Sequence, residues 1–221
     1  VSSKALDDRC GCAAMITAAR MLKDMDTDCS ITLLLSVMEE VGGMGAATGA
    51  NALQPITHCI SVDVSFALTP ELQTHQGGKL GDGPMVGHNP ILSREVSEDM
   101  AQVGTEQGIT HQVKVYAGYR TGTDADGIIL AGAGAKAHVP VSHCVICIHR
   151  LRLSTRQIWK IPQNLQRLMS LRSSSGRGMQ IMNTTTLIEK LCMADGISGR
   201  EEQVREQIIQ VIDGHCDWKV D

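Results

Sequence analysis

A continuous apolar run in the first quarter of the chain ends abruptly at two adjacent glutamates. The run covers residues 31–38, ITLLLSVM, and most of its residues favour β-structure. An apolar run without polar alternation predicts a strand that is buried on both faces, as in a sheet with helices on both sides. Glu39 and Glu40 follow directly, so two carboxylates are expected at the carboxyl end of a buried strand.

Other stretches show helical and extended patterns in turn. Apolar positions recur at helical spacing between residues 8 and 24, and Asp8 can cap the start of that helix. Residues 56–64, ITHCISVDV, predict a second strand that is interrupted near its end by Asp63. Residues 96–103 predict another helix.

Residues 110–117 alternate between apolar and polar side chains, which predicts a half-buried strand. His111, Val113 and Val115 are expected on its buried face. The order of helices and strands is typical of an α/β protein. We therefore predict a mixed sheet flanked by helices.

The pattern changes in residues 136–181, which show no clean period, contain clustered arginines and end in a stretch rich in serine and glycine. Regular spacing returns afterwards. Thr186 with Glu189, and Ser198 with Glu201, are spaced as capping boxes. These pairs predict two short amphipathic helices at the end of the chain.

The charge of the chain argues against several classes of partner. The 20 lysines and arginines stand against 24 aspartates and glutamates, a formal net charge of −4, and form no basic block. A small or peptidic partner is expected, and nucleic acid is not. No run approaches the roughly 20 apolar residues of a membrane span, and no signal-peptide pattern opens the chain, so a cytoplasmic protein is predicted. The eight cysteines are scattered, which indicates reduced thiols.

Three acidic clusters fall where predicted strands end. They are Asp7 with Asp8, Glu39 with Glu40, and Asp63. Ligands bind at the carboxyl ends of strands in open α/β sheets, so these side chains are expected to converge. Converging carboxylates repel one another at low effective dielectric and need cations, which two divalent metal ions supply in many hydrolytic sites. Taken alone, each cluster also fits a solvated group at the end of an element.

Five short segments form a series along the chain: ALDDRCG (5–11), MEEVGGMGA (38–46), SVDVSFALTP (61–70), KLGDGP (79–84) and TGTDADGI (121–128). In this order and approximate spacing they resemble consecutive motifs of the tetrahedral, or glutamyl, aminopeptidase family. The resemblance implies an α/β fold like that of zinc aminopeptidases, and hydrolysis of N-terminal residues from peptides. It also implies two divalent ions (Zn or Co) and a homo-oligomeric shell. Some members have been described as endoglucanases, so a glucan hydrolase with Glu39 and Asp63 as an acid/base pair is an alternative.

The resemblance implies a role for each acidic residue. Asp7 would bridge the two metal ions, and Asp8 would support Asp7 through a strained peptide bond. Glu40 would bind one ion and Asp63 the other. Glu39 would be the general base that takes a proton from the attacking water.

Thr123 and Asp124 would line the site without binding metal. The chain departs from the family at the two histidine ligands, because neither of their motifs stands in the sequence. His149 is not expected to replace them. The small β-barrel domain that the family uses for oligomerisation is not found either, so a dodecamer is not expected. These departures leave a second hypothesis, an inactive remnant or fusion that binds metal weakly.

The same resemblance divides the chain into three segments. Residues 1–135 correspond to the C-terminal part of a catalytic domain, and residues 182–221 resemble the family's N-terminus. A gene fusion or a circular permutation would explain this inverted order. Residues 136–181 form an irregular tail that a frameshift would explain, because codons for residues 155–161 can give an acidic, family-like helix start in the neighbouring frame.

Overall fold

Helices and strands follow one another along the chain. The computed structural model describes residues 3–23, 30–53, 55–74, 77–146, 152–154 and 184–220. The helices are α1 (Leu6–Leu22), α2 (Met44–Ala52), α3 (Arg94–Glu106), α4 (Ala125–Ile128), α5 (Thr184–Met193) and α6 (Glu202–Ile212), with a 3-10 turn at Glu39–Val41. The strands are β1 (His58–Ile60), β2 (Asp63–Phe66), β3 (Met85–His88), β4 (Gln112–Val115), β5 (Lys136–His138), β6 (Pro140–Ile146) and β7 (Arg152–Ser154).

The larger sheet is mixed, as predicted. Its strands lie in the order β2-β6-β3-β4, and β7 also pairs with β6. The β2–β6 and β3–β4 pairs are parallel, whereas β6 runs antiparallel to β3 and to β7. Strands β1 and β5 form a separate parallel pair. The predicted α/β class with a mixed sheet is confirmed.

Helix α1 packs against α5 and α6 and forms the largest apolar cluster of the described residues. Arg9 reinforces this packing from a buried position. Its guanidinium donates to the carbonyls of Leu191 at 2.6 Å, Ala194 at 2.7 Å and Gly196 at 3.0 Å. These carbonyls close the C-terminal end of α5, where intrahelical donors are lacking. The cluster contains Leu6, Ala13, Ile16, Leu187, Ile188, Leu191, Cys192, Val204, Ile208 and Val211.

Two smaller clusters hold the middle of the chain together. One lies beneath β3 and includes Met85, Leu92 and Val139. The other joins α2 to α4 through small side chains such as Ala46 and Ala50. Small residues allow the two helices to approach closely. Helix α2 therefore has a fixed position directly after the turn that contains the two adjacent glutamates.

The predicted strand over residues 31–38 is wrong. This segment has no ladder hydrogen bonds to any strand among the described residues, and Ile31 is 50% exposed. A run of β-forming residues becomes a buried strand only when neighbouring strands pair with it, and propensity does not supply them. The predicted strand over residues 56–64 is divided between β1 and β2, which belong to different sheets. Asp63 therefore begins a strand instead of ending one.

Strand β4 was predicted correctly, but its buried face was not. Val113 and Val115 are 63% and 66% exposed, whereas Gln112 and Lys114 are half-buried. The described elements leave the face of β4 that carries the two valines open to solvent. The other face carries Lys114 toward a cavity.

The predicted helices are present, with differences at their starts. Helix α1 has non-helical backbone angles at its second and third residues, and regular helix follows Asp8, as the capping prediction requires. Helix α5 begins at Thr184 and not at the predicted cap, Thr186. Helix α6 begins after Glu201, whose carboxylate accepts from the Gly199 amide at 2.7 Å. The two predicted capping boxes therefore did not mark the helix starts.

The three predicted segments remain a prediction. Strands β5, β6 and β7 fall within residues 136–181, most of which, including His149, lie outside the described residues. Residues 184–212, from the segment with a family-like N-terminal pattern, pack on α1. Of the helices in the described ranges, none combines the length and apolarity needed to cross a membrane.

The packing of α5 on α1 can be tested within one helix. Leu191 is completely buried in the α1/α5/α6 cluster, whereas Met193, two residues later, is 69% exposed. We expect Leu191→Ala to lower the free energy of unfolding by about 2 to 5 kcal/mol. Met193→Ala should change it by less than about 0.5 kcal/mol. Urea unfolding measures both, and equal effects would contradict the packing.

Candidate active site

The start of α1 places two aspartates side by side. The peptide bond between Asp7 and Asp8 is cis, and neither residue has helical backbone angles. The Asp8 carboxylate turns back and accepts from the Gly11 amide at 3.0 Å. A Cβ atom at position 11 would lie 2.0 Å from an Asp8 oxygen, so only glycine allows this arrangement. Asp7 consequently remains at the surface of a cavity.

A tight turn presents the two adjacent glutamates. The Gly43 amide donates to the carbonyls of Met38 and Glu39, both at 3.0 Å. Gly42 has a φ of 115°, a conformation that residues with a side chain rarely adopt. The turn reverses the chain directly before α2, and Glu39 and Glu40 both line the cavity that Asp7 reaches.

A strand start and a loop complete the wall. Asp63 is the first residue of β2, and its Oδ1 accepts from the Val64 amide at 2.6 Å. Asp126, in the first turn of α4, accepts from the Thr121 amide at 2.9 Å and from the Thr121 hydroxyl at 2.6 Å in the preceding loop. These bonds hold residues 121–123 against the same cavity.

These residues enclose a cavity of about 280 Å³, which we call the carboxylate cavity. Five of the residues selected from the sequence meet there. Asp124 does not line it, and accepts a hydrogen bond from the Ser36 hydroxyl in a buried position. The lining residues are Asp7, Glu39, Glu40, Asp63, Val64, Ser65, Phe66, Lys114, Tyr116, Thr121, Gly122 and Thr123.

Burial and mutual repulsion make several of these carboxylates hard to ionise. Burial, chiefly, raises the pKa of Asp63 to about 8, and the charges of Glu39, Asp7 and Asp124 add to the effect. The pKa of Glu39 rises to about 7, first through burial and then through repulsion from Asp124, Glu40 and Asp7. Asp8 is also shifted upward, by burial first and by Asp63 second. With all of these carboxylates ionised, the cavity would therefore carry more negative charge than the described side chains around it neutralise.

The donor set fits divalent ions in chemistry and charge. Carboxylate oxygens are ligands for zinc and cobalt, and a divalent ion would neutralise Asp7, Glu40 and Asp63. The spacing of the donors is wider than a closed site requires. Within the described ranges, no three His, Cys, Asp or Glu side chains are close enough to hold one ion. Among the described residues that line the cavity, none is a histidine.

Seven of the twelve described lining residues were not selected from the sequence, and two of these seven belong to β4 and the residue after it. Lys114 and Tyr116 lie on the half-buried side of β4 and its continuation. The sequence prediction puts the valines of this stretch on the buried face. It therefore puts the two side chains that reach the cavity on the solvent face. A lysine in the middle of a short alternating strand was the available signal. Charged side chains are common on edge strands, so this lysine did not stand out as a site residue.

Comparison with known proteins places the chain among peptidases. A family model described as M42 glutamyl aminopeptidase matches residues 1–157. A lysyl aminopeptidase of Pyrococcus furiosus is 35% identical over 121 residues, which are 55% of this chain and 34% of that protein. The matched part thus spans about a third of the relative's length.

Solved structures show the same fold. An aminopeptidase from the archaeon Desulfurococcus kamchatkensis matches with a TM-score of 0.63 and 23% identity, over 82% of this chain and 53% of that one. The TET1 peptidase of Pyrococcus horikoshii matches with a TM-score of 0.57 and 27% identity, over 76% of this chain and 49% of that one. The latter protein can assemble into a tetrahedron or a large octahedral shell. The chain spans about half of each structure.

The raised pKa of Asp63 predicts how stability depends on pH in a chain freed of metal by a chelator. An unfolded aspartate titrates near pH 3.9, about four units below the folded-state value. The contribution of the Asp63 carboxyl group to the free energy of unfolding is therefore fully present below about pH 4, and it is lost as the pH rises through about 8. Asp63→Asn should raise the melting temperature at about pH 8.5 by several degrees, since 1 kcal/mol corresponds to roughly 2 to 4 °C.

Asp82→Asn is the matched control, because Asp82 is partly exposed and pairs with Lys79 at 3.2 Å. For this variant, the difference between the melting temperature at pH 5 and the melting temperature at pH 8.5 should equal the difference found for the unaltered chain. Calorimetry in the presence of chelator measures both variants. An Asp63→Asn chain that melts at or below the temperature of the unaltered chain at high pH would contradict the electrostatic description of the cavity.

Proposed function

This chain belongs to the M42 glutamyl aminopeptidase family, and from that membership we propose that it removes N-terminal residues from peptides at the carboxylate cavity. The observation that carries the proposal is the convergence of Asp7, Glu39, Glu40 and Asp63 on one cavity. These side chains come from a helix start, a turn and a strand start that are distant in sequence.

Asp7, Glu40 and Asp63 are the residues that would hold two divalent ions, zinc or cobalt. The excess negative charge of the cavity supports this assignment, because a buried carboxylate with a raised pKa gains most from a cation. Bound divalent ions would polarise the scissile carbonyl and make water easier to deprotonate. Asp8 holds the backbone of Asp7 through its bond to the Gly11 amide.

Glu39 is the proton carrier of the proposed reaction. It takes a proton from the attacking water and delivers it to the amine that leaves when the peptide bond breaks. A group serves in both directions when its pKa lies near the working pH, and the pKa of Glu39 in the metal-free chain is about 7. The positively charged amino terminus of the peptide is attracted by the remaining carboxylates. Thr123 lines the cavity, and Asp124 supports the segment before the glutamates through Ser36.

A second candidate function has an observation in its favour. Because no three donors among the described side chains are close enough for one ion, an inactive remnant that binds metal weakly fits the donor spacing. The two candidates differ in turnover and not in fold.

The five free cysteines among the described residues are typical of a reducing compartment, which supports the cytoplasm as the site of either.

Glu39→Gln tests the proposed function. With zinc or cobalt added, the unaltered chain is expected to hydrolyse aminoacyl-nitroanilides, and Glu39→Gln should lower kcat by about 10²- to 10⁴-fold. The amide has the same shape as the carboxylate but cannot accept a proton, so KM should change little. Initial rates over a range of substrate concentrations separate kcat from KM.

Glu71→Gln is the control, because Glu71 is exposed and bonds only to the Thr69 hydroxyl among the described contacts, at 3.0 Å. It should retain full activity, and a chelator should abolish the activity of every active chain. Activity that survives Glu39→Gln or chelation would contradict the proposed mechanism. A folded chain without turnover at any metal concentration would support the remnant.

A further inference from the structure

Lys114 is the single cationic side chain among the described residues that line the carboxylate cavity. It lies in β4, opposite Gly87 of β3, whereas Asp63 begins β2. Strands β6 and β3 lie between β2 and β4. Three strand spacings amount to about 14 Å, so the cavity has a negative side and a positive side that are well separated.

Contacts on β4 hold Lys114 toward the cavity. Its neighbours Val113 and Val115 face solvent, so the lysine extends from the opposite, half-buried face. The ammonium lies 5.9 Å from the centre of the Tyr116 ring, a cation–π distance. Burial lowers the pKa of Lys114 from its usual range. A charged donor that is partly shielded from water binds an anion more strongly than a fully exposed one.

We propose that Lys114 binds the C-terminal carboxylate of a short peptide whose amino terminus lies on the side of the cavity that carries the acidic residues. This inference rests on the proposed aminopeptidase function and adds the substrate class, which is free peptides of two to four residues. An extended peptide advances about 3.3 to 3.6 Å per residue, so two to four residues cover about 7 to 14 Å. That length matches the separation of the two sides once the reach of the lysine is included.

The size of the cavity agrees with a short substrate. Its volume of about 280 Å³ lies just below the range for ligand pockets, roughly 300 to 1,000 Å³. An acidic side chain on the first residue of the substrate is another source of a carboxylate. A carboxylate on the first side chain starts at the negative side of the cavity, beside Glu39 and Asp63. It has no further residues to extend it, so one side chain would have to span the whole distance to Lys114.

Binding to the Glu39→Gln chain tests the proposal without hydrolysis. Leu-Gly-Gly with a free carboxylate and the same peptide with a C-terminal amide are titrated by calorimetry in the presence of cobalt. A hydrogen bond to a charged group corresponds to about a ten- to hundredfold difference in affinity, so the acid should bind more tightly than the amide by that factor. Adding Lys114→Met should remove the difference while keeping the apolar stem of the side chain.

Lys79→Met is a matched control. It removes an exposed lysine outside the cavity and should leave the acid-to-amide ratio unchanged. A peptide of six residues reaches beyond Lys114, so its acid and amide should bind equally.

Several results would overturn the proposal. They are equal binding of the short acid and amide, a ratio that survives Lys114→Met, or no peptide binding at all. A preference for glutamyl over glutaminyl nitroanilide that depends on Lys114 would assign the lysine to the first side chain instead. The binding experiment uses a chain without its proton carrier, so its outcome does not depend on turnover. If the acid-to-amide ratio depends on Lys114 but the unaltered chain shows no turnover, the proposed function is rejected and the role of Lys114 is not.

Discussion

Burial of several carboxylates around one cavity raises the free energy of the folded chain, and other contacts have to hold these groups in place. Like charges at short distance in a partly buried setting favour protonation, as the raised pKa values of Asp63 and Glu39 show. The α1/α5/α6 cluster, with Arg9 bonded to three carbonyls, fixes the helix whose first residues carry Asp7 and Asp8. The cavity therefore depends on helices that lie nearly two hundred residues away in sequence.

The sequence predicts the class of the fold and the acidic residues of the site for local reasons. Helix periodicity is visible in α1 and α3, and Glu39 and Glu40 stand just before glycines that a tight turn requires. Pairing between distant segments is not encoded locally. Residues 31–38 have the composition of a buried strand but no described strand beside them. Strand β4 alternates as predicted, yet its valines are exposed and Lys114 lies toward the cavity. A period-2 pattern has two faces, and the surrounding chain decides which one is buried.

Family membership and site geometry support the proposed activity to different degrees. Residues 1–157 match an M42 glutamyl aminopeptidase model, and the acidic residues that the resemblance singles out surround one cavity. The described donors are too far apart for three of them to hold one ion. The negative charge of the ionised carboxylates and the wide spacing between them are both compatible with a metal site if a bound cation draws the carboxylates together. The free energy that repulsion adds in the metal-free chain would then be regained on binding.

Titration of the purified chain with cobalt, followed by its visible absorption spectrum, tests whether these carboxylates form a two-metal site. Parallel titration of Asp7→Asn isolates the residue to which the family resemblance gives the bridging role. The account predicts saturation at two ions in the unaltered chain, and weaker binding of both ions in the variant. Failure of the unaltered chain to bind cobalt, or binding that Asp7→Asn leaves unchanged, would contradict it.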